Sequence, residues 1–336
     1  MISRPPLSSS TFSSTLSLAP HGGAFVLENA PSLRDVDASR DSVRLALLPI
    51  IPKKGAIMPD AAHIVYLSPA GTTRHVAEVI GAALADAGVN ATQWDLAGHS
   101  AEDVHREIAA AATPPLLFIG SPVYVNHAVP PVTDFINGLP KAEGGLAVPF
   151  VTYGAVSSGI ALYRMTESLQ ERGYAVPGAA KVVAVHSSLW RMEHPLGEGH
   201  PDAADDAAVR GLVAGVLEKA KTPAHSGLPL STLAYQPPET HAEMENMSLA
   251  AAAGHLPEKK LDAEACTECG ICAENCPTDA IALAPLPEFG DACIFCFRCV
   301  RDCPESAIRV NTEPIEERVP KMAAMRNETP PTQMFL

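Results

Sequence analysis

The 336-residue chain has no cysteine outside residues 266–303, no apolar run of membrane-spanning length, and less basic than acidic charge. Each shortage excludes something. Clustered thiols with no secretory signal argue against a disulfide framework spread over a secreted protein. A transmembrane helix needs about 20 consecutive apolar residues, so a membrane is not expected as a partner. With 24 Lys and Arg against 38 Asp and Glu, the net charge of −14 argues against nucleic acid. No G-x-G-x-x-G follows an apolar strand, which disfavours a dinucleotide site of that kind. What remains is a chain of ordinary hydrophobic content, 47%, long enough for two domains.

The cysteines are written as one motif twice. Cys266, Cys269, Cys272 and Cys276 are followed by Pro277, and Cys293, Cys296, Cys299 and Cys303 by Pro304. Both runs read C-x2-C-x2-C-x3-C-P, the bacterial spacing for [4Fe–4S] ligation. The offset is 27 residues at all four cysteines and extends to Ala280-Ile281 and Ala307-Ile308. Zinc sites use CxxC pairs but not a third cysteine with a following CP. Three cysteines two residues apart wrap three corners of one cubane. In two-cluster ferredoxins the fourth ligand comes from the other run. Cluster I is therefore assigned to Cys266, Cys269, Cys272 and Cys303, and cluster II to Cys293, Cys296, Cys299 and Cys276. Crossed ligation makes metal binding and folding of this small domain one event. Residues 262–310 carry nine acids and three arginines, a local −6, which suits docking to basic patches on redox partner proteins.

The rest divides by pattern. Residues 1–60 open with seven serines in the first 17 and show no strong periodicity, which reads as an extension without a packed core. Its start resembles an organelle transit peptide, or translation begins at Met58; the two readings stay open. Residues 61–220 alternate apolar strands with helical stretches. Strands are expected at His63–Leu67, Ala91–Leu96, Pro115–Gly120, Val148–Tyr153 and Lys181–Val185, with helices at Thr73–Ala87, Ala101–Ala112, Val132–Leu139, Ile160–Arg172 and Ala203–Lys219. That alternation implies an α/β, doubly wound, five-stranded parallel sheet covered on both faces. Residues 221–260 read as a linker with a short helix near Met247–Ala253, residues 261–311 as a small α+β dicluster domain, and residues 312–336 as a polar tail.

In a doubly wound sheet, ligands sit beyond the C-terminal strand ends beside strand one. There Ser68-Pro69-Ala70-Gly71-Thr72-Thr73 leads into a helix and reads as a phosphate cradle of amides and hydroxyls. Helix capping by Ser68, Thr72 or Thr73 is the ligand-free alternative. After strand three, Ser121-Pro122-Val123-Tyr124 offers amides and a ring, with Asn126 and His127 as further lining. Tyr153-Gly154 follows strand four. Backbone amides in these loops can bond the edge of a flavin ring while a tyrosine stacks on it; ordinary loop packing explains the tyrosines equally.

Residues 62–220 resemble flavodoxin-like FMN domains: the first loop is similar to the T/S-x-T-G-x-T phosphate loop, and G-x-P-V-Y to the ring-binding turn. Residues 261–310 resemble bacterial 2[4Fe–4S] ferredoxins. Together the chain resembles the flavodoxin–ferredoxin fusion proteins of anaerobic bacteria and archaea. Ala70 departs from the flavodoxin loop by removing a hydroxyl. The resemblance implies two [4Fe–4S] clusters, FMN and unidentified redox partner proteins; the free thiolates that cluster assembly needs point to a cytoplasmic home, and charge and hydropathy to no nucleic acid and no membrane. Three functions follow from the resemblance: an electron carrier, a flavin-dependent reductase of a small substrate fed by the clusters, or a ferredoxin with an apo docking domain. For the reductase, His127 and His186 are the nearby general-acid candidates.

Overall fold

The computed structural model describes residues 61–336 apart from 112, 114, 143 and 222–226. The expected N-terminal extension lies outside the described residues. From Ala61 the chain alternates as its pattern predicts: β1 (Ala61–Tyr66), α1 (Thr72–Asp86), β2 (Asn90–Asp95), α2 (Ala101–Ala110), β3 (Leu116–Tyr124), a two-residue β4 (His127–Ala128), α3 (Pro130–Gly138), β5 (Leu146–Tyr153), α4 (Ala161–Glu171), β6 (Ala179–Val183) and α5 (Ala203–Ala220). β2, β1, β3, β5 and β6 run parallel in that spatial order, the flavodoxin-like arrangement whose order reverses beside β1.

Burial explains the strand types. All eight residues of β5 are buried, because helices cover both faces and leave no wet side. α1 sends Val76, Ile80 and Leu84 inward, one stripe at helical spacing. It packs with Ile64, Phe118 and Val213 on one face of the sheet, while Val65, Ile119 and Phe135 belong to the core on the other. β2 is the polar edge, with no fully buried position. α5 starts at a capping box in which Asp202 accepts from the amides of Ala204 and Asp205.

Two segments depart from expectation. Residues 227–258, read as a linker, carry a 3-10 turn at Leu230–Leu233, then α6 (Pro238–Glu245), α7 (Leu249–Ala252) and a further turn at Ala253–His255. Leu228 and Leu233 enter the sheet-domain core and Met244 is fully buried. The anchors are isolated apolar residues among prolines, so no periodicity announces them.

The cysteine-bearing segment follows as β7 (Lys259–Leu261), α8 (Ile271–Glu274), β8 (Ile281–Leu283), β9 (Pro287–Phe289), α9 (Arg298–Arg301) and β10 (Ile308–Val310). Its two halves interlock: β7 pairs with β10 and β8 with β9, both antiparallel.

The tail is the second departure. It forms α10 (Glu313–Arg326) and then β11 (Gln333–Phe335), which returns to the first domain and pairs antiparallel with β6. Among the described residues the sheet thus has seven strands rather than five. Glu328 reaches buried Lys181 at 2.7 Å and accepts from Ser157 Oγ at 2.9 Å, the Ser158 amide at 3.0 Å and Gln236 at 3.1 Å. Tyr153 donates its hydroxyl to the Pro331 carbonyl at 2.6 Å. Within the polar tail, Glu328 belongs to this buried network, while the charged residues of α10 such as Glu317 and Lys321 face outward.

Candidate functional site

The C-terminal ends of β1, β3, β5 and β6 open into a cavity of about 180 Å³. Of the residues expected there, Ala70, Thr72, Thr73, Pro122, Val123, Tyr124, Tyr153 and Gly154 line it; Ser68, Gly71 and Ser121 do not. Ser68 Oγ accepts the Arg74 amide at 2.9 Å, the capping role. Ser121 Oγ donates to the Pro122 carbonyl and accepts the Val129 amide, at 2.8 and 3.0 Å, bracing the turn from inside. Gly71 precedes α1 with φ +90°, a left-handed conformation that costs glycine nothing.

Asn126 and His127 are corrections. Asn126 Nδ2 meets Met247 Sδ at 3.3 Å and His127 Nε2 meets the Met244 carbonyl at 2.9 Å. Both turn toward the segment read as a linker, and neither lines the cavity. They sit where β3 folds back onto β4, a two-residue turn with φ +48° at Val125 and +69° at Asn126. Such turns need positive φ at both central residues, which is uncommon for a β-branched side chain. Gly154 is required by a neighbour: a Cβ there would lie 2.5 Å from His186.

Cofactor chemistry can be judged from the donors. First-turn amides of a helix have no intrahelical acceptor, and those of Thr72 and Thr73 open α1 beside two hydroxyls, although Thr73 Oγ1 already pairs with Thr152 Oγ1 at 2.8 Å. This set fits a flavin phosphate and ring edge. The volume is below the roughly 300 Å³ at which ligand sites usually begin, so the ring has little spare room. His186 lines the cavity, accepts or donates at Ser188 Oγ over 3.1 Å, and is held down to about 4 by burial. It is neutral at pH 7. Burial likewise pushes the Tyr124 and Tyr153 phenols up, so both rings are neutral.

The cysteines gather crosswise. Cys266, Cys269, Cys272 and Cys303 surround one small cavity, and Cys276, Cys293, Cys296 and Cys299 surround another. The repeated Ala-Ile dipeptide buries its four side chains, and its backbone repeats a contact: the Ala280 amide points at Cys276 Sγ at 3.2 Å, and the Ala307 amide at Cys303 Sγ at 3.3 Å. These sulfurs stand where thiolate ligands belong, and such contacts stabilise their charge.

What sequence reasoning missed is the roof of the first cavity. Ile294, Phe295 and Phe297, lying between the cysteines of the second run, line it from the side of the cysteine-bearing segment. Ile294 and Phe297 also line the cavity of Cys276, Cys293, Cys296 and Cys299. One layer of side chains therefore separates the two. Arg301 fastens the contact, donating to the carbonyls of Pro69 at 3.1 Å, Ser187 at 3.3 Å and Cys296 at 2.9 Å. The signal in the sequence was the aromatic pair inside the second cysteine loop, where the first has Glu268 and Gly270.

The family model for the 4Fe-4S binding domain matches residues 259–282. No curated protein matches the chain. Among solved structures, the rubredoxin oxygen:oxidoreductase of the anaerobe Desulfovibrio gigas is 20% identical over 49% of this chain, with a TM-score of 0.40. The alignment spans 37% of that longer protein. A flavodoxin from the domain Archaea is 20% identical over 48% of this chain and 99% of its own, at TM-score 0.37. The Megasphaera elsdenii flavodoxin is 22% identical over 47% and 98%, at 0.35. The chain thus joins a flavodoxin-like sheet, defined by its strand order, to a ferredoxin-type 4Fe–4S domain. Among the described residues no helix is long and apolar enough to cross a membrane.

Proposed function

We propose that the chain is an electron-transfer iron–sulfur flavoprotein. Cluster I is held by Cys266, Cys269, Cys272 and Cys303, cluster II by Cys276, Cys293, Cys296 and Cys299, and FMN by the cavity at the strand ends. The observation that carries this reading is the shared wall, Ile294 and Phe297, between that cavity and the cluster II cysteines. Bound there, FMN would exchange one or two electrons, against one for each cluster. Thr72, Thr73 and the N-terminus of α1 take the phosphate. The Pro122–Tyr124 turn and Tyr153 bound the ring, and the cluster II loop excludes water from above.

Arg301 keeps the two domains docked, so exchange across the wall awaits no second encounter. Neutral His186 supplies no imidazolium proton at pH 7, which favours the carrier over the substrate reductase. Cys269 is the exposed ligand. Redox partner proteins meet the chain on that side, where Glu264, Glu268, Glu274 and Glu305 set a negative field. The test is iron, sulfide and flavin quantitation on one anaerobically purified sample. Eight irons and about one FMN per chain are expected. Eight irons without flavin, even after FMN is added, would leave a ferredoxin carrying a docking domain.

A further inference from the structure

The internal repeat offers a comparison, because each residue of the first cysteine run has a counterpart 27 residues away in the second, and β7 pairs with β10 as β9 pairs with β8. The charges are not matched. Residues 264–274, around the first run, carry Glu264, Glu268 and Glu274 and no base. Their counterparts 291–301 carry Asp291, Arg298 and Arg301. The net charges are −3 and +1. Glu305 beside Cys303 is matched by Thr278 beside Cys276.

Lys259 sharpens the difference. Its Nζ lies 3.3 Å from Cys293 Sγ, and it lines the cavity of the second set. The ammonium sits over the rings of Phe295 at 4.8 Å, Phe289 at 5.2 Å and Phe297 at 6.0 Å, which hold it at the sulfur. Its counterpart in the strand pairing is Pro287, opposite Leu283 as Lys259 is opposite Val310, and it lines the first cavity with no charge to offer.

Reduction adds one negative charge to a cluster, so a nearby cation favours it and nearby carboxylates oppose it. Burial acts the other way. Cys296 is buried, whereas its counterpart Cys269 is exposed, and low dielectric disfavours added charge. The same low dielectric strengthens a charge already at contact distance, and a charge-assisted bond is about twice as strong as a neutral one. The burial difference is confined to that one pair, since Cys272 and Cys299 are both buried and the other four cysteines are alike, whereas Lys259 acts directly on a sulfur.

We infer that the Cys276, Cys293, Cys296 and Cys299 site is the more easily reduced of the two, with Lys259 as the residue that sets it there. An electron released by a reduced low-potential carrier protein at the exposed Cys269 side then comes to rest beside the flavin cavity. One electron leaves the carrier, one is gained by the chain, and no proton is required. The chain is directional, a collector of electrons for its flavin. This rests on the two-cluster reading proposed above.

The experiment is an EPR-monitored redox titration of the anaerobic holoprotein, with Cys269→Ser used to identify the first site's signal. Two steps are expected, the higher belonging to the second site. Lys259→Met lowers that step by at least about 59 mV, a tenfold change in the one-electron equilibrium. It leaves the other step in place, and Lys259→Arg restores most of the loss. Pro287→Lys, at the position equivalent to Lys259, raises the first site's step, which keeps the idea testable should the methionine variant assemble poorly. Equal potentials, a reversed order, or no response to Lys259→Met in a protein with eight irons would overturn this inference alone. Four irons per chain would overturn the two-cluster reading and the inference with it. The potentials are read on the clusters, so a flavin-free sample decides equally well.

Discussion

Removing the Glu328 carboxylate should release the tail and destabilise the whole docked body. Lys181 and Glu328 meet at 2.7 Å with side chains only 2% and 10% exposed. Lys181 sits in the middle of β6, with its Nζ 4.8 Å from the centre of the Tyr235 ring. Glu328→Ala leaves that ammonium buried and unpaired, a change that costs about 3–5 kcal/mol for pairs of this kind. With a denaturant slope near 3 kcal/mol per molar urea, the midpoint falls by about 1 M or more. Glu328→Gln keeps part of the hydrogen bonding to Ser157 and Ser158 and should cost less. Anaerobic urea unfolding followed by circular dichroism reads the change, and proteolysis should cut near residue 327 sooner.

The same pair predicts a pH dependence. Burial alone would raise the Glu328 carboxyl, but Lys181 and Ser158 outweigh it and hold it below its ordinary 4.5. A depressed carboxyl contributes stability that is fully present above 4.5 and lost as pH falls through the lower folded value. Glu328→Gln should flatten that acid limb. A loss under about 1 kcal/mol for the alanine variant, well short of the range for buried pairs, would refute the view that the tail is locked by a buried charge.

Other outcomes follow from the site. Cys276→Ala should damage cluster II while cluster I, which shares its loop, keeps four ligands; loss of cluster I alone in EPR of the reduced protein would refute the crossed assignment. Thr72→Val should weaken FMN about tenfold if its hydroxyl holds the phosphate, worth about 1.4 kcal/mol, as read by flavin fluorescence quenching. Arg301→Met removes two bonds from the cluster II loop to Pro69 and Ser187 and one within the loop to Cys296, and hydrogen exchange should quicken at residues 68–72 and 187–189 while eight irons are retained. Binding of riboflavin, which lacks the titrating phosphate, should be flat between pH 5.5 and 8 because burial holds His186 down to about 4; a step near pH 6.5 that His186→Asn removes would show its imidazole exposed.

The parts legible in the sequence were those carried by local repetition. The cysteine spacing names its chemistry because three ligands within seven residues must share one loop. The five parallel strands were readable because two-sided burial demands continuous apolar runs such as Leu146–Tyr153. Position beside β1 was readable from topology, and eight of eleven expected cofactor residues line the cavity. Ser68, Ser121, Asn126 and His127 lie off the cavity lining and bond the chain instead, for one reason. A polar side chain in a loop is equally able to bond a ligand or the backbone, and its neighbours in space decide.

By itself, then, the sequence determined the cysteine spacing, the βα alternation and the charge difference between the two cysteine runs, all patterns legible within about 30 positions. Tertiary structure decided what no window of that size contains. Arg301 bonds Pro69 across 232 residues, Glu328 finds Lys181 across 147, and three residues with no strand signal become β11 because β6 offers an unpaired edge. The roof over the flavin cavity is of the same kind. Phe295 and Phe297 acquire a role only when the cysteine-bearing segment packs over the strand ends. The physical reason is that secondary structure follows local periodicity, whereas a site between domains is selected by long-range burial and by the satisfaction of charges that the local chain leaves unpaired.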